Sequence, residues 1–115
     1  MVKLQNVILV SENMERSFAF YNKALGLELK FRDGDKWIQF DADGSSFALA
    51  APEEVSNHKQ GSFPVFEVSD LDKVKENLEL AGADVSITRN MGTHGKTATI
   101  IDPDGNVFQL FMRTF

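Results

Sequence analysis

The first half of the chain has the hydrophobic pattern of one strand, one helix and three further strands. An apolar, β-prone run at 4–10 predicts the first strand, with side chains alternating between two faces. Apolar residues at helical spacing predict the helix; they are Met14, Phe18, Tyr21 and Leu25. Ser11 or Asn13 is its expected N-cap, and Gly26 suits its C-terminal end. Further strands are predicted at 27–31, 36–41 and 46–51.

The second half repeats this order after a polar segment that contains proline and glycine and lacks periodicity. A strand is predicted at 63–68 and a helix from Leu71 to Ala81, with Ser69 and Asp72 as a capping box. The last strands are predicted at 85–88, 96–102 and 106–112. The duplication predicts an α+β fold in a single domain at 1–115, with module 1 at about 1–51, a linker at about 52–62 and module 2 at about 63–115.

The last hairpin of each half carries the same turn pattern, DADG at 41–44 and DPDG at 102–105. Glycine supplies positive φ in such turns, and aspartate hydrogen-bonds to the turn backbone. We therefore assign Asp41, Asp43, Asp102 and Asp104 to turn formation, in preference to a catalytic carboxylate pair.

Composition narrows the possible partners. The chain has 115 residues, of which 43% are hydrophobic, no cysteine, and a net charge of -5. The absence of cysteine rules out thiolate chemistry within this sequence and suits a reducing, cytoplasmic compartment. With no basic cluster, a nucleic-acid partner is not expected, and the N-terminal apolar run is too short to span a membrane. The acidic balance favours a neutral or cationic small molecule.

Two sequence motifs of this chain resemble motifs of the vicinal oxygen chelate superfamily. They are Ser17-x-x-Phe20-Tyr21-x-x-x-Leu25-Gly26-Leu27 and Asp102-Pro103-Asp104-Gly105-Asn106. The superfamily includes glyoxalase I, fosfomycin-resistance enzymes, extradiol dioxygenases and bleomycin-resistance proteins. The resemblance implies two βαβββ modules that form a sheet-lined cleft, with the helices outside.

The resemblance also implies where metal ligands would stand, namely at Asn6, Ala48, Phe63 and Gln109. Alanine and phenylalanine offer no ligand atom, and neutral amides are poor substitutes for imidazole or carboxylate. We therefore expect no metal and no other cofactor. What remains is similarity to the metal-free bleomycin-resistance proteins, which bind an antibiotic in the cleft and commonly form homodimers.

The residues predicted to contact the ligand combine aromatic rings with amides and one imidazole, as organic-ligand pockets do. They are Asn6, Trp37, Phe63, His94, Gln109 and Phe111. Four of them have a structural alternative. Asn6 and Gln109 suit hydrogen bonds within a buried sheet face, Trp37 suits a core or a dimer interface, and His94 suits an exposed loop with no role.

Two other functions remain open. One is an enzyme, either a lyase or dioxygenase whose metal is held by His94 or His58, or a metal-free acid–base catalyst that uses His94. The other is an interaction module without a ligand. A serine, histidine and acid arrangement at recognisable spacing is not found in the sequence, so no nucleophilic catalyst is assigned.

Overall fold

The computed structural model describes residues 5–54 and 61–114. The chain divides into two compact units, Met1–His58 and Lys59–Phe115, each with its own sheet. The predicted α+β class is confirmed. The exact bounds predicted for the modules and the linker stay predictions.

The first unit follows the predicted order of strand, helix and three strands. Its helices are α1 (Met14–Phe18), a π-helix (Ala19–Ala24) and a short 3-10 helix (Pro52–Glu54). Its strands are β1 (Val7–Val10), β2 (Glu28–Asp33), β3 (Trp37–Ala42) and β4 (Ser45–Ala50). The sheet has the order β1-β4-β3-β2, in which β1 runs parallel to β4 and the other pairs are antiparallel.

The helical segment of this unit packs its aromatic residues on one face of the sheet. Phe18 stacks on Phe40 with ring centroids 6.2 Å apart, and Tyr21 lies 5.1 Å from Phe47. Tyr21, Phe40 and Phe47 are buried, and together with Leu9, Ile38 and Leu49 they form the core of the unit. Burial of these large side chains is the main source of stability for this unit.

The prediction of one regular helix up to Leu25 is wrong, because α-helix gives way to π-helix at Ala19. The amide of Leu25 donates to the carbonyl of Phe20, five residues earlier, at 3.0 Å. The apolar spacing that predicted the helix does not distinguish the two types of turn. Asn13 is the N-cap, and its side chain accepts from the amide of Arg16.

The second unit contains α2 (Leu71–Leu80), a 3-10 helix (Gly92–His94) and five strands. The strands are β5 (Val65–Glu67), β6 (Asp84–Val85), β7 (Arg89–Asn90), β8 (Lys96–Ile101) and β9 (Val107–Met112). Their order is β5-β9-β8-β6, with β7 also paired to β8 and with β5 parallel to β9. The helix α2 packs on β6, β8 and β9, where Ile100, Phe108 and Leu110 are buried. Among the described residues, no helix is long and apolar enough to cross a membrane.

Two local predictions in this unit are wrong. In place of the predicted strand at 85–88, two short strands, β6 and β7, lie on either side of residues 86–88, because the side chain of Ser86 takes a place in the ladder: Ser86 Oγ accepts from the amide of Thr99 at 2.8 Å. The N-cap of α2 is Asp70, not Ser69, and its carboxylate accepts from the amide of Lys73. Asp70 therefore occupies the role that Asn13 has in the first unit.

The two repeated turns use their first aspartate as expected. Asp41 Oδ1 accepts from the amide of Gly44 at 2.9 Å. Asp102 Oδ1 accepts from the amides of Asp104 and Asn106 at 2.9 and 2.8 Å. These contacts explain why both hairpins require aspartate at this position.

Candidate functional site

The second sheet has one face covered by α2 and a second face that carries two of the predicted ligand residues. Strand alternation puts Gln109 and Phe111 on the face away from α2, because Phe108 and Leu110 are buried on the other side. Their partners on β8 are Thr99 and Thr97. We call these four residues, with Val65 on β5, the second-sheet distal face.

Gln109 is held by a cross-strand hydrogen bond. Its Nε2 donates to Thr99 Oγ1 at 3.3 Å, which fixes the direction of the amide. Within the described residues its Oε1 accepts no hydrogen bond, and the side chain is partly exposed. The amide can therefore accept a hydrogen bond from a molecule placed on this face.

His94 lies next to this face through its neighbour Gly95. The β-carbon that any other residue would carry at position 95 would stand 2.6 Å from Cε1 of Phe111. The backbone at Gly95 therefore lies against the phenyl ring. The amide of Met91 donates to the carbonyl of Gly95 at 2.8 Å and closes the loop. His94 itself is exposed at the end of its 3-10 helix.

Phe63 precedes β5 and is 46% exposed. The next residue, Pro64, accepts a backbone hydrogen bond from the amide of Gln109 at 3.0 Å. The second unit thus brings four predicted residues to neighbouring positions, namely Phe63, His94, Gln109 and Phe111.

The first sheet also has a face away from its helices, and a chain of polar contacts runs across it. Trp37 Nε1 donates to Gln39 Oε1 at 3.2 Å, and Gln39 Nε2 donates to Ser46 Oγ at 2.7 Å. Trp37 is partly exposed. The indole is therefore oriented by its own sheet while its ring remains reachable.

Asn6 and Trp37 are not brought together within this unit. Trp37 pairs with Ala50, and Ala50 pairs with Val10 at the far end of β1. Asn6 precedes Val7, at the other end of β1. The two residues therefore lie near opposite ends of the sheet and two strands apart.

The residues at the four positions implied for a metal do not fit one. Ala48 is fully buried and has no ligand atom, Phe63 is a hydrocarbon ring, and the Nε2 atom of Gln109 is a hydrogen-bond donor to Thr99. Among residues 5–54 and 61–114, no three His, Asp or Glu side chains come together in a group able to hold a metal ion. That statement includes His94, whereas His58 lies outside the described residues.

A hollow in the first unit was not predicted from the sequence. It has a volume of about 300 Å³ and is lined by Phe31, Asp33, Lys36, Trp37 and Glu54. Of these residues, only Trp37 is among the predicted ligand contacts. Phe31 and Asp33 are two residues apart along β2, so strand alternation places their side chains on the same face. Glu54 falls in the segment predicted to be a linker, where no such pattern exists.

Two arginines have raised pKa values. A hydrogen bond from Arg113 to Glu67, 2.7 Å long, raises the pKa of Arg113 at the end of the second-sheet distal face. Hydrogen bonding to Glu15 is the largest cause of the raised pKa of Arg32. Both guanidinium groups therefore stay charged at physiological pH and act as fixed positive charges.

Comparison with known proteins identifies the family. A family model described as the Glyoxalase/Bleomycin resistance protein/Dioxygenase superfamily matches residues 3–110. The chain is 27% identical over 115 residues to glutathione transferase FosA of Serratia marcescens, a match that covers 93% of this chain and 78% of that protein.

Solved structures share the fold. A glyoxalase/bleomycin resistance protein/dioxygenase family enzyme from Burkholderia phytofirmans PsJN matches with a TM-score of 0.82 at 21% identity, covering 98% of this chain and all of that chain (100%). TnmS3, an antibiotic binding protein from Streptomyces sp. CB03234, matches with a TM-score of 0.75 at 24% identity, covering 99% of this chain and 98% of that one. The resemblance noted in the sequence is confirmed: this chain belongs to the glyoxalase/bleomycin resistance protein/dioxygenase superfamily.

Proposed function

We propose that this chain is a metal-free binding protein of the bleomycin-resistance type, which holds a planar or cationic organic molecule without converting it. The observation that carries this proposal is the chemistry at the four implied ligand positions. Asn6, Ala48, Phe63 and Gln109 offer amides and hydrocarbon where a metal would require imidazole or carboxylate. Such residues suit an organic molecule.

In this proposal the second-sheet distal face, together with the neighbouring Phe63, supplies both apolar and polar contacts. Phe111 and Phe63 provide ring surface, and Gln109, held by Thr99, accepts a hydrogen bond through Oε1. His94 donates or accepts a hydrogen bond at the edge of this face. In the first unit, taken by itself, Asn6 and Trp37 are the proposed contact residues, and the net charge of -5 favours a ligand that is not an anion.

The relatives support the proposal at the level of ligand class. TnmS3 is an antibiotic binding protein, and its chain is covered almost completely by this one.

We further propose that the chain forms a homodimer in the cytoplasm. Light scattering during size-exclusion chromatography tests the dimer, because the mass should be twice that of the chain.

The deciding experiment is elemental analysis of the untagged protein before and after incubation with Ni, Zn, Mn and Fe(II). We expect far less than one metal per chain in every case. Retention of about one metal per chain would overturn the proposal and lead to assays for lyase and dioxygenase activity. The metal-free protein is then screened against planar and cationic antibiotics, bleomycin included, by quenching of the fluorescence of Trp37, the only tryptophan.

A further inference from the structure

The hollow on the first unit combines two aromatic rings with three charged side chains. Phe31 and Trp37 supply the rings, and Asp33, Lys36 and Glu54 supply the charges. Its volume of about 300 Å³ is at the lower end of the range for small-molecule pockets.

The pairing of β2 with β3 brings the aromatic residues to one face. Asp33 pairs with Trp37, and Phe31 pairs with Gln39. Phe31 and Trp37 are therefore diagonal neighbours on the same face, about 7–8 Å apart at their backbones. Phe31 is 48% exposed, and within the described residues its ring makes no ring contact with Trp37. A third flat ring can therefore approach both of them.

The indole is fixed before any ligand arrives. Trp37 Nε1 donates to Gln39 Oε1, and Gln39 is held in turn by Ser46. A ring that is already oriented loses little conformational freedom on stacking.

The charges of the hollow are unequal. Asp33 and Glu54 contribute two carboxylates against the single ammonium group of Lys36. In the part of the chain that the structure describes, none of the three side chains forms an ion pair. Their charges are therefore directed to solvent and to whatever occupies the hollow, with an excess of one negative charge.

We infer that this hollow is a subsite that selects a flat organic cation, with its ring against Phe31 and Trp37 and its positive group toward Asp33 and Glu54. The inference rests on the proposed function, for which it names the ligand class and two specificity-determining carboxylates. Cation–π attraction to Trp37 acts in the same direction as the carboxylates, whereas Lys36 opposes binding of a cation.

The test compares two probes of nearly equal shape: 9-aminoacridine, a planar cation at neutral pH, and acridine, which is uncharged there. Binding is followed by calorimetry and by the indole N–H signal of Trp37, which is unique because the chain has one tryptophan. For the unmodified protein we expect 9-aminoacridine to bind about tenfold more tightly than acridine, and to shift the indole signal.

Four sets of variants test which side chains of the hollow cause the preference for 9-aminoacridine over acridine. Asp33→Asn combined with Glu54→Gln should abolish the preference for the cation and leave acridine binding unchanged. Lys36→Gln should increase the preference, and Trp37→Leu should weaken both probes. The matched control is Asp43→Asn with Glu53→Gln, which removes the same charge from exposed positions outside the hollow and should retain most of the preference. Thermal denaturation confirms that each variant is folded.

Two results would overturn the inference. The first is that 9-aminoacridine does not bind, or binds without shifting the indole N–H signal of Trp37. The second is that Asp33→Asn combined with Glu54→Gln still prefers 9-aminoacridine to acridine. Either result leaves the proposed function standing if the protein retains no metal and binds an antibiotic. Metal retention, in contrast, overturns the proposed function while a charge preference at the hollow would remain measurable.

Discussion

Gly95 lies so close to Phe111 that no other residue fits between the loop and the ring. A β-carbon at position 95 would stand 2.6 Å from Cε1 of Phe111 and 2.7 Å from the carbonyl oxygen of Met112. Gly95 also has φ 96° and ψ -165°, a conformation that is essentially restricted to glycine. This contact ties the loop of His94 to the second-sheet distal face.

We expect Gly95→Ala to destabilise the protein by about 3 kcal/mol, because it adds backbone strain to steric overlap. Gly26→Ala is the control: Gly26 has φ 93°, but a β-carbon there meets nothing within 4 Å. It should cost about 1 kcal/mol. Urea denaturation of the two variants measures the difference, and equal losses would show that the overlap with Phe111 is relieved at no cost.

The duplicated turn offers a second internal comparison. Asp102 is buried and its Oδ1 accepts two backbone hydrogen bonds, whereas Asp41 is exposed and its Oδ1 accepts one from Gly44. Asp102→Ala leaves the part-buried amide of Asp104 and the buried amide of Asn106 without their acceptor, so we expect a loss of about 3 kcal/mol. Asp41→Ala should cost about 1 kcal/mol, because water replaces the carboxylate. A similar free energy of unfolding for both variants would contradict this account.

These turns show which parts of the fold could be predicted from the sequence. Aspartate and glycine at a hairpin act within a few residues, so sequence pattern locates them. The N-cap of the first helix is narrowed by the same kind of pattern to Ser11 or Asn13, and the structure has Asn13. The break between β6 and β7 could not be predicted in this way. It depends on the hydrogen bonds of Ser86 with Thr99, thirteen residues later in the chain.

The candidate site shows the same limit. Alternation along β9 correctly grouped Gln109 with Phe111. The hollow combines residues of β2 and β3 with Glu54, and their meeting depends on strand register and on the chain after β4. Register is set by tertiary pairing, so a hydrophobic pattern predicts the faces of strands but not which charged residues share a hollow.

Arg32 joins the first helix to the turn between β2 and β3. Its Nη2 lies 2.6 Å from Glu15 and 2.9 Å from Asp35, and its guanidinium carbon lies 5.6 Å from the centre of the Phe18 ring. The carboxylates are largely exposed, so we expect Arg32→Ala to cost only about 1 kcal/mol. Arg32→Lys should recover only part of this, because lysine keeps the charge but has no second nitrogen for the hydrogen bond that Arg32 Nε donates to the carbonyl of Gly34.

The pH dependence of this contribution has a defined sign. The folded protein raises the pKa of Arg32, chiefly through the hydrogen bond to Glu15, so the stability that arginine protonation adds is present at neutral pH and is lost only at strongly alkaline pH. The difference in free energy of unfolding between wild type and Arg32→Ala should therefore be constant from about pH 7 to 9. A decline within that range would indicate that another titrating group controls the contact.

Gln109 allows binding to be separated from stability. The only hydrogen bond of the Gln109 side chain within the described residues goes to Thr99, and both side chains are partly exposed, so Gln109→Leu should change the free energy of unfolding by less than about 1 kcal/mol. If the amide orients the ligand through Oε1, the same variant should lower the affinity for an antibiotic found by Trp37 quenching about tenfold or more. Thr99→Val is the matched control, because it frees the amide without removing it and should reduce affinity less. Wild-type affinity in Gln109→Leu would exclude Gln109 from the binding site and leave Phe111 and Phe63 as the contacts to test on this sheet.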